Sequence, residues 1–396
     1  MSSAEFRLRV ADWFRTATPA DWETRFDQAS PAEYLTLQRE WLAALNEQGF
    51  AAPHVPTEWG GGGYDLFEQA VIYEEWARAK APGLGVFLVS LHHVPSTLIE
   101  EGTVAQREQH IRAAINGAIW CQGFSEPEAG SDLASLRTTA ELDGDEYVVN
   151  GQKIWSSSAD HAKWCLLLAR TDPHAPKHKG ISYFILDMES PGIEVRPIRQ
   201  SSGHSEFCEI FLTDVRVPVG ALIGGPGDGW AIAQRTLATE RGPIALETIE
   251  RINGQLVDLY QLVQRRSSFA GGTNQWLSAA EAELARLIAR GRAVRSLALD
   301  MIEALAAGKN RLDLASIIKV SFSELLRETT DFASLLAEET SLIDPRHAHT
   351  RGWVSGHGMT DFIQSWGWTI ASGTNEIQRN IIAERLLSMP KEPKVA

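Results

Sequence analysis

Residues 120–157 read WCQGFSEPEAGSDLASLRTTAELDGDEYVVNGQKIWSS. The first part, Gln122 to Asp132, is rich in Ser, Gly and acidic residues and poor in strong helix formers. Such a run suits backbone that comes close to a ligand. Gly130 has no side chain to block the approach, and Ser125 and Ser131 offer hydroxyls. The second part reads as a hairpin. Tyr147, Val148 and Val149 lead into Asn150-Gly151, a pair favoured in type I′ turns, and Gln152 to Trp155 return. The return strand delivers Trp155 followed by three serines, Ser156 to Ser158. An aromatic face beside hydroxyls suits a flat heteroaromatic ligand, whereas a lone tryptophan is more often core.

Around this stretch the pattern is β. From about Ala118 to Ile223 short runs rich in branched and aromatic residues alternate with turn clusters such as TDPHAPKHKG and ESPG. The runs are Glu146–Val149, Ile154–Ser157, Trp164–Ala169, Ile181–Asp187, Ile193–Ile198 and Phe207–Val217. With no helices between them, they predict an antiparallel barrel or sandwich. Upstream the pattern is helical. Tyr34, Leu37, Trp41, Leu42 and Leu45 recur at helical spacing before Gly49, and Leu66–Ala79 and Val104–Ile115 read likewise. The four glycines at 60–63 read as a turn, because no Lys-Ser/Thr follows to hold a phosphate. His92-His93 reads as packing or hydrogen bonding before it reads as a metal site, since neighbours on a helix point different ways.

Downstream, IGGPGDGW leads into a predicted helix from Trp230 to about Gln264, followed by helices over Leu277–Ala307 and Asp313–Glu338. Thr340–Thr360 reads as irregular, and a last helix starts near Thr374 with Ile377, Ile381, Ile382 and Leu386 on one side. The expected fold class is α+β, in three domains. These are an N-terminal helical domain (1–117), a middle β domain (118–223) and a C-terminal helical bundle (224–396).

At 396 residues the chain is long enough for two or three packed units. The net charge of −14 argues against nucleic acid or an anionic membrane as a general partner, since both need clustered positive charge. No run approaches the roughly 18 apolar residues of a membrane span, and the first residues lack a signal peptide's apolar core. Cys121, Cys165 and Cys208 have no disulfide or metal spacing. A cytoplasmic protein without a metal is the expectation.

Three separated motifs resemble the acyl-CoA dehydrogenase family of FAD-dependent flavoproteins. Ser125-Glu126-Pro127-Glu128-Ala129-Gly130-Ser131-Asp132 is similar to the family's TEPgaGSD loop. Gly151 to Ser157 is similar to its GxKxWIT/S strand, and Gly373 to Ala383 to its C-terminal GTxEIxRxxIA. The resemblance extends over nearly the whole chain and is weakest between about Arg265 and Thr360. It implies FAD-dependent removal of the α proton and β hydride of an acyl-CoA, giving a trans-2-enoyl-CoA. It also implies an electron-transfer flavoprotein or similar acceptor. The assembly implied is a homo-oligomer (dimer or tetramer) or a mixed tetramer with a second acyl-CoA dehydrogenase subunit.

Residue by residue, the resemblance assigns Ser125 to the flavin ring edge, Gln122, Phe124 and Gly130 to the cofactor site, and Ser131 to the pyrophosphate and pantetheine junction. It implies that Trp155 and Ser157 flank the ring, with Ser156 between them in the cofactor site. Thr374, Asn375 and Glu376 close over the cofactor, and this helix start also reads as an ordinary cap. Arg266, in a partial match to the family's RxxFG, is either a flavin ligand or a surface cation. The base departs from the common pattern. Many members carry Glu immediately before the C-terminal GT, where this chain has Ser372, and serine is no carboxylate base at neutral pH. A subset places the Glu before an Arg on the first helix of the C-terminal domain, where this chain reads TLATERGP. The candidate base is therefore Glu240, with Arg241, Ser372 and Gly373 on the substrate side. A flavin monooxygenase or oxidase on the same fold, and a non-catalytic subunit of a mixed tetramer, are the alternatives.

Overall fold

The computed structural model describes residues 2–238, 242–269, 275–309, 311–336 and 358–391. Glu240 and Arg241 lie outside them. The helices before the sheet are α1 (Ser3–Ala17), α2 (Trp22–Gln28), α3 (Pro31–Glu47), α4 (Leu66–Arg78), α5 (Val94–Glu101) and α6 (Val104–Ile115). Local chemistry sets their starts. Ser2 with Glu5, Ser30 with Glu33, Asp65 with Glu68 and Thr103 with Gln106 form capping boxes that satisfy the first free N–H groups of α1, α3, α4 and α6.

The strands are β1 (Trp120–Gly123), β2 (Thr139–Asp143), β3 (Glu146–Ser157), β4 (Trp164–Arg170), β5 (Ile181–Asp187), β6 (Ile193–Ile198), β7 (Phe207–Pro218) and β8 (Leu222–Ile223). Helices α7 (Gly229–Ala238), α8 (Ala245–Phe269), α9 (Gln275–Ala306), α10 (Leu312–Leu336), α11 (Gly358–Ile370) and α12 (Asn375–Ile381) follow. The single helix expected from Trp230 to Gln264 is two. Gly242 and Pro243 intervene between α7 and α8, and a proline lacks the N–H that a continuous helix requires there. Within the stretch expected to be irregular, residues 358–360 already belong to α11.

The described chain forms two compact units. One gathers residues 1–27, 65–83 and 241–396. In it α4 is buried continuously from Gln69 to Ala77 and packs against α1, α8 and α9. Its buried carboxylates are paired, Glu74 with Arg7 and Arg295, and Glu75 with Arg7 and Arg78.

The other unit gathers residues 28–64 and 84–240 around one sheet, ordered β6-β7-β3-β2-β4-β5-β8, with β1 on β4. The sheet is mainly antiparallel, as expected, but β1–β4 and the single β2–β4 pair are parallel. Its core includes Cys121, Val149, Cys165, Leu167, Phe184, Leu212 and Val215. Helices α5 and α7 meet through a Thr97–Thr236 hydrogen bond of 2.7 Å, and α7 packs on β5. Among the described residues no helix is long and apolar enough to cross a membrane.

The expected turn at Asn150-Gly151 is not a turn. Strand β3 runs straight through it, and the hairpin lies one strand earlier, where Gly144-Asp145 joins β2 to β3 with Gly144 at φ 68°. Asn150 and Gly151 instead face a bulge. Val149 pairs with Val215 and Gly151 with Leu212, so Thr213 and Asp214 oppose the single Asn150. The Asn150 amide donates to Asp214 Oδ1 at 3.0 Å, and Asp214 N–H returns to Asn150 Oδ1 at 2.8 Å. Glycine is needed at 151 because a Cβ would stand 2.4 Å from Thr138 Oγ1. A turn-forming dipeptide was thus selected for a bulge and a close approach.

Candidate active site

The segment after β1 is held by one buried ion pair. Lys153, on an inward position of β3, is fully buried, and its Nζ donates to Glu126 Oε1 at 2.8 Å and to the Phe124 carbonyl at 3.1 Å. Glu126 also accepts the N–H groups of Arg137 (2.6 Å) and Thr138 (2.9 Å). Ile154 N–H donates to the Ser125 carbonyl at 3.0 Å. The loop therefore hangs on β3 by several polar contacts centred on Glu126. Burial raises the Glu126 carboxyl, but the Lys153 charge and these donors hold it below its ordinary value, while burial lowers the Lys153 ammonium. Both residues stand inside the family-like motifs, which by themselves assign a role to neither. The available signal was a lysine in an inward position of an alternating strand.

Beyond Lys153 the strand bulges again. Lys153 pairs with Ile210 and Ser156 with Cys208, so Ile154 and Trp155 oppose the single Glu209. Trp155 sits at φ 63°, a left-handed conformation that is strained for a bulky residue. Its indole is 54% exposed, in edge contact with Phe207. The strained residue presents a large aromatic face to solvent near the C-terminal end of β3. Ser157 is partly exposed beside it, whereas Ser156 points inward and is fully buried.

The other assigned residues of this unit divide by burial. Ser125 and Gln122 are half-buried, and Gly130 and Ser131 are exposed. Phe124 is core, packed edge-on to Tyr183. Gln122 Nε2 and Ser156 Oγ are sealed from solvent and have no hydrogen-bond partner among the described residues. Buried polar atoms rarely stay unpaired. With an outward indole, and with Gly130 in open space, they fit a polar-edged aromatic ring such as a flavin.

In the other unit, Ser372 (φ 54°) and Gly373 (φ 82°) turn the chain into α12. Thr374 caps that helix by accepting from Ile377 N–H at 3.2 Å. The Ser372 carbonyl accepts from the buried Gln378 Nε2 at 3.0 Å. Asn375 faces inward, 3% exposed, and its Oδ1 accepts from Lys319 Nζ (2.8 Å) and Ser323 Oγ (3.0 Å), both on α10. Its side chain therefore anchors α12 from below, while Glu376 faces outward. Arg266 is half-buried in the last turn of α8. Lys319 was not foreseen. Asn375→Ala removes the shared acceptor of a buried ammonium and a hydroxyl, which costs about 1.5–3 kcal/mol. Calorimetry is expected to show a lower melting temperature, and an unchanged one excludes the anchor.

Known proteins match both the fold and these segments. Profiles described as the acyl-CoA dehydrogenase N-terminal, middle and C-terminal domains match residues 4–118, 121–215 and 227–387. The chain belongs to the acyl-CoA dehydrogenase family. It is 35% identical over 398 residues to acyl-CoA dehydrogenase IpdE1 of Mycobacterium tuberculosis, covering 98% of each chain. Among solved structures, a Tcur3481-Tcur3483 steroid acyl-CoA dehydrogenase superposes with a TM-score of 0.84 at 28% identity, covering 98% of each chain. The ChsE4-ChsE5 complex of M. tuberculosis gives 0.81 at 28% identity, also over 98% of each chain. Acyl-CoA dehydrogenases are oxidoreductases that use FAD, and FAD is the cofactor of this chain.

Proposed function

We propose that this acyl-CoA dehydrogenase converts an acyl-CoA thioester to its trans-2-enoyl-CoA, with Glu240 as the base. The observation that carries the reading is Ser372. The position before the C-terminal Gly-Thr holds no carboxylate, and Glu240-Arg241 supplies one where a subset of the family has it. FAD, when bound, supplies the hydride acceptor. Glu240 takes the α proton as the enolate forms, and Arg241 binds the CoA moiety. The Ser372 backbone N–H is the donor that this reading assigns to the thioester oxygen, where negative charge develops, with Gly373 beside it on the substrate side. Trp155, Ser125, Ser157 and Gln122 bed the ring and meet its edge, and Ser131 faces the pyrophosphate. Lys153 and Glu126 position that loop without touching substrate.

An oligomer is part of this reading. Val257 and Tyr260 on α8 are 52% and 49% exposed, and with Leu256 and Ile288 they line an apolar groove that suits a partner helix. The complexes named above make a mixed tetramer with a second acyl-CoA dehydrogenase subunit the alternative to a homo-oligomer, with an electron-transfer flavoprotein or a similar protein as acceptor. The purified chain is expected to be a yellow oligomer that bleaches anaerobically with a suitable acyl-CoA and releases the 2-enoyl thioester. A colourless protein that binds no added FAD overturns the catalytic reading. Rapid O₂ consumption with a hydroxylated product replaces it with a monooxygenase.

A further inference from the structure

The turn between α11 and α12 is held at two points by side chains that the reading above gives no role. Ser372 and Gly373 are consecutive left-handed residues, at φ 54° and 82°. Glycine takes that conformation freely, whereas serine is strained in it, so the turn persists only because its surroundings fix it. The first fixing point is Gln378. It is fully buried, and its Nε2 donates to the Ser372 carbonyl at 3.0 Å. A Cβ at position 373 would stand 2.8 Å from the same Nε2, so a side chain there would push the amide off the turn. The second point is Lys319 of α10, 4% exposed. Its Nζ donates to Asn375 Oδ1 at 2.8 Å, in the first turn of α12, and reaches the Thr369 carbonyl at 3.4 Å, in the last turn of α11. One ammonium thus ties the residues on both sides of the turn to the helix on which α11 and α12 pack.

A plain connection between two helices does not call for this arrangement, because a single left-handed glycine normally ends a helix. Here a non-glycine residue is held left-handed next to the glycine. It is the residue whose N–H the proposed function assigns to the thioester oxygen. Strained residues that their surroundings over-determine cluster at active sites. Within one residue the N–H and the carbonyl are related by φ and ψ alone, so the contact that pins the Ser372 carbonyl also sets the direction of its N–H. A donor stabilises developing negative charge only when it is already aimed at the position the charge will occupy, and a displacement of about 1 Å can cost about 100-fold in rate. Gln378 and Lys319 both act on groups at or beside Ser372, and neither needs to touch the substrate.

We propose that Gln378 and Lys319 are positioning residues that aim the Ser372 N–H at the thioester oxygen of the bound acyl-CoA. The proposal rests on the acyl-CoA reading and deepens it. The test uses the FAD-loaded oligomer, an acyl-CoA that bleaches its flavin, and the corresponding trans-2-enoyl-CoA isotope-labelled at the thioester carbonyl. In the wild type the infrared band of the bound carbonyl is expected below its position in water. In Gln378→Met and Lys319→Met the band is expected to move back towards that position. Flavin reduction is expected to slow about 10–100-fold in both, while the Kd for the enoyl-CoA changes less than about threefold. Gln378→Asn, which keeps the amide and shortens its reach, is expected to act in the same direction and serves where a methionine variant does not fold. An unchanged band in folded, FAD-loaded variants overturns the proposal, and so does slower reduction explained wholly by weaker binding or lost FAD. A wild-type band at the position seen in water, in a protein whose flavin still bleaches, removes the donor and the clamp together but leaves the dehydrogenation. Failure of straight-chain, branched and polycyclic acyl-CoAs alike to bleach the flavin is a different result, because it removes the acyl-CoA reading itself.

Discussion

Glu240→Gln is expected to slow flavin reduction by acyl-CoA about 10²–10⁴-fold while FAD and acyl-CoA still bind, because the amide keeps the shape of the carboxylate and loses its basicity. Removing the α proton is half of the reaction, and Ser372 stands where many family members carry the Glu. Anaerobic stopped-flow reduction separates this chemical step from binding. The sharper form is the double change Glu240→Gln with Ser372→Glu. In the family the two positions serve the same α-carbon from different segments, so the relocated carboxylate is expected to restore part of the rate. Recovery stays incomplete because its surroundings were not selected to set its pKa. Arg241→Ala, which removes a cation rather than a base, is expected to weaken substrate affinity as well as rate. Reduction at the wild-type rate in Glu240→Gln would show that the base lies elsewhere.

The second large effect is structural. Lys153→Met leaves the Glu126 carboxylate buried without its counter-ion, and Glu126→Gln leaves the Lys153 ammonium in the same position. Breaking a buried pair by removing one partner costs about 3–5 kcal/mol. Because Glu126 also holds the amides of Arg137 and Thr138, the damage falls on the loop that carries Ser125. Both variants are expected to melt earlier and to retain less FAD. The double change Lys153→Met with Glu126→Gln is expected to cost less than the sum of the two, since no charge is left unpaired. Variants that melt within about 0.5 kcal/mol of the parent would place the pair outside the stabilising core.

The pair also sets a pH response. The folded Glu126 carboxyl lies below its ordinary value, so its contribution is fully present above the ordinary carboxylate range and is lost as pH falls through the lowered value. Wild-type melting temperature should therefore fall in acid by a component that Glu126→Gln lacks. Parallel acid profiles for the two proteins would contradict this.

Much of the fold was legible before any coordinates. The helix over Val104–Ile115 and the start of α4 at Leu66 are written in short-range periodicity and in caps only three residues long. The β character of the middle region shows in strands that each carry their own pattern, and three motifs in order identify the family. These signals lie within windows of a dozen residues, so the chain reports them without its partners.

What only the tertiary structure decided involves residues that meet across long separations. Asn150-Gly151 has a turn-former's identity, yet strand β7 opposite makes it the partner of a bulge. Trp155 reads in sequence as core or cofactor bed. The second bulge against Glu209 exposes it at the cost of a left-handed φ. Lys153 and Glu126 are 27 residues apart, and Lys319 and Asn375 are 56 apart. Each pair is two unremarkable polar residues until the fold removes water from both, and only then must they find one another. Composition and spacing determine which elements form, whereas the fate of a buried polar atom depends on what the folded chain places beside it.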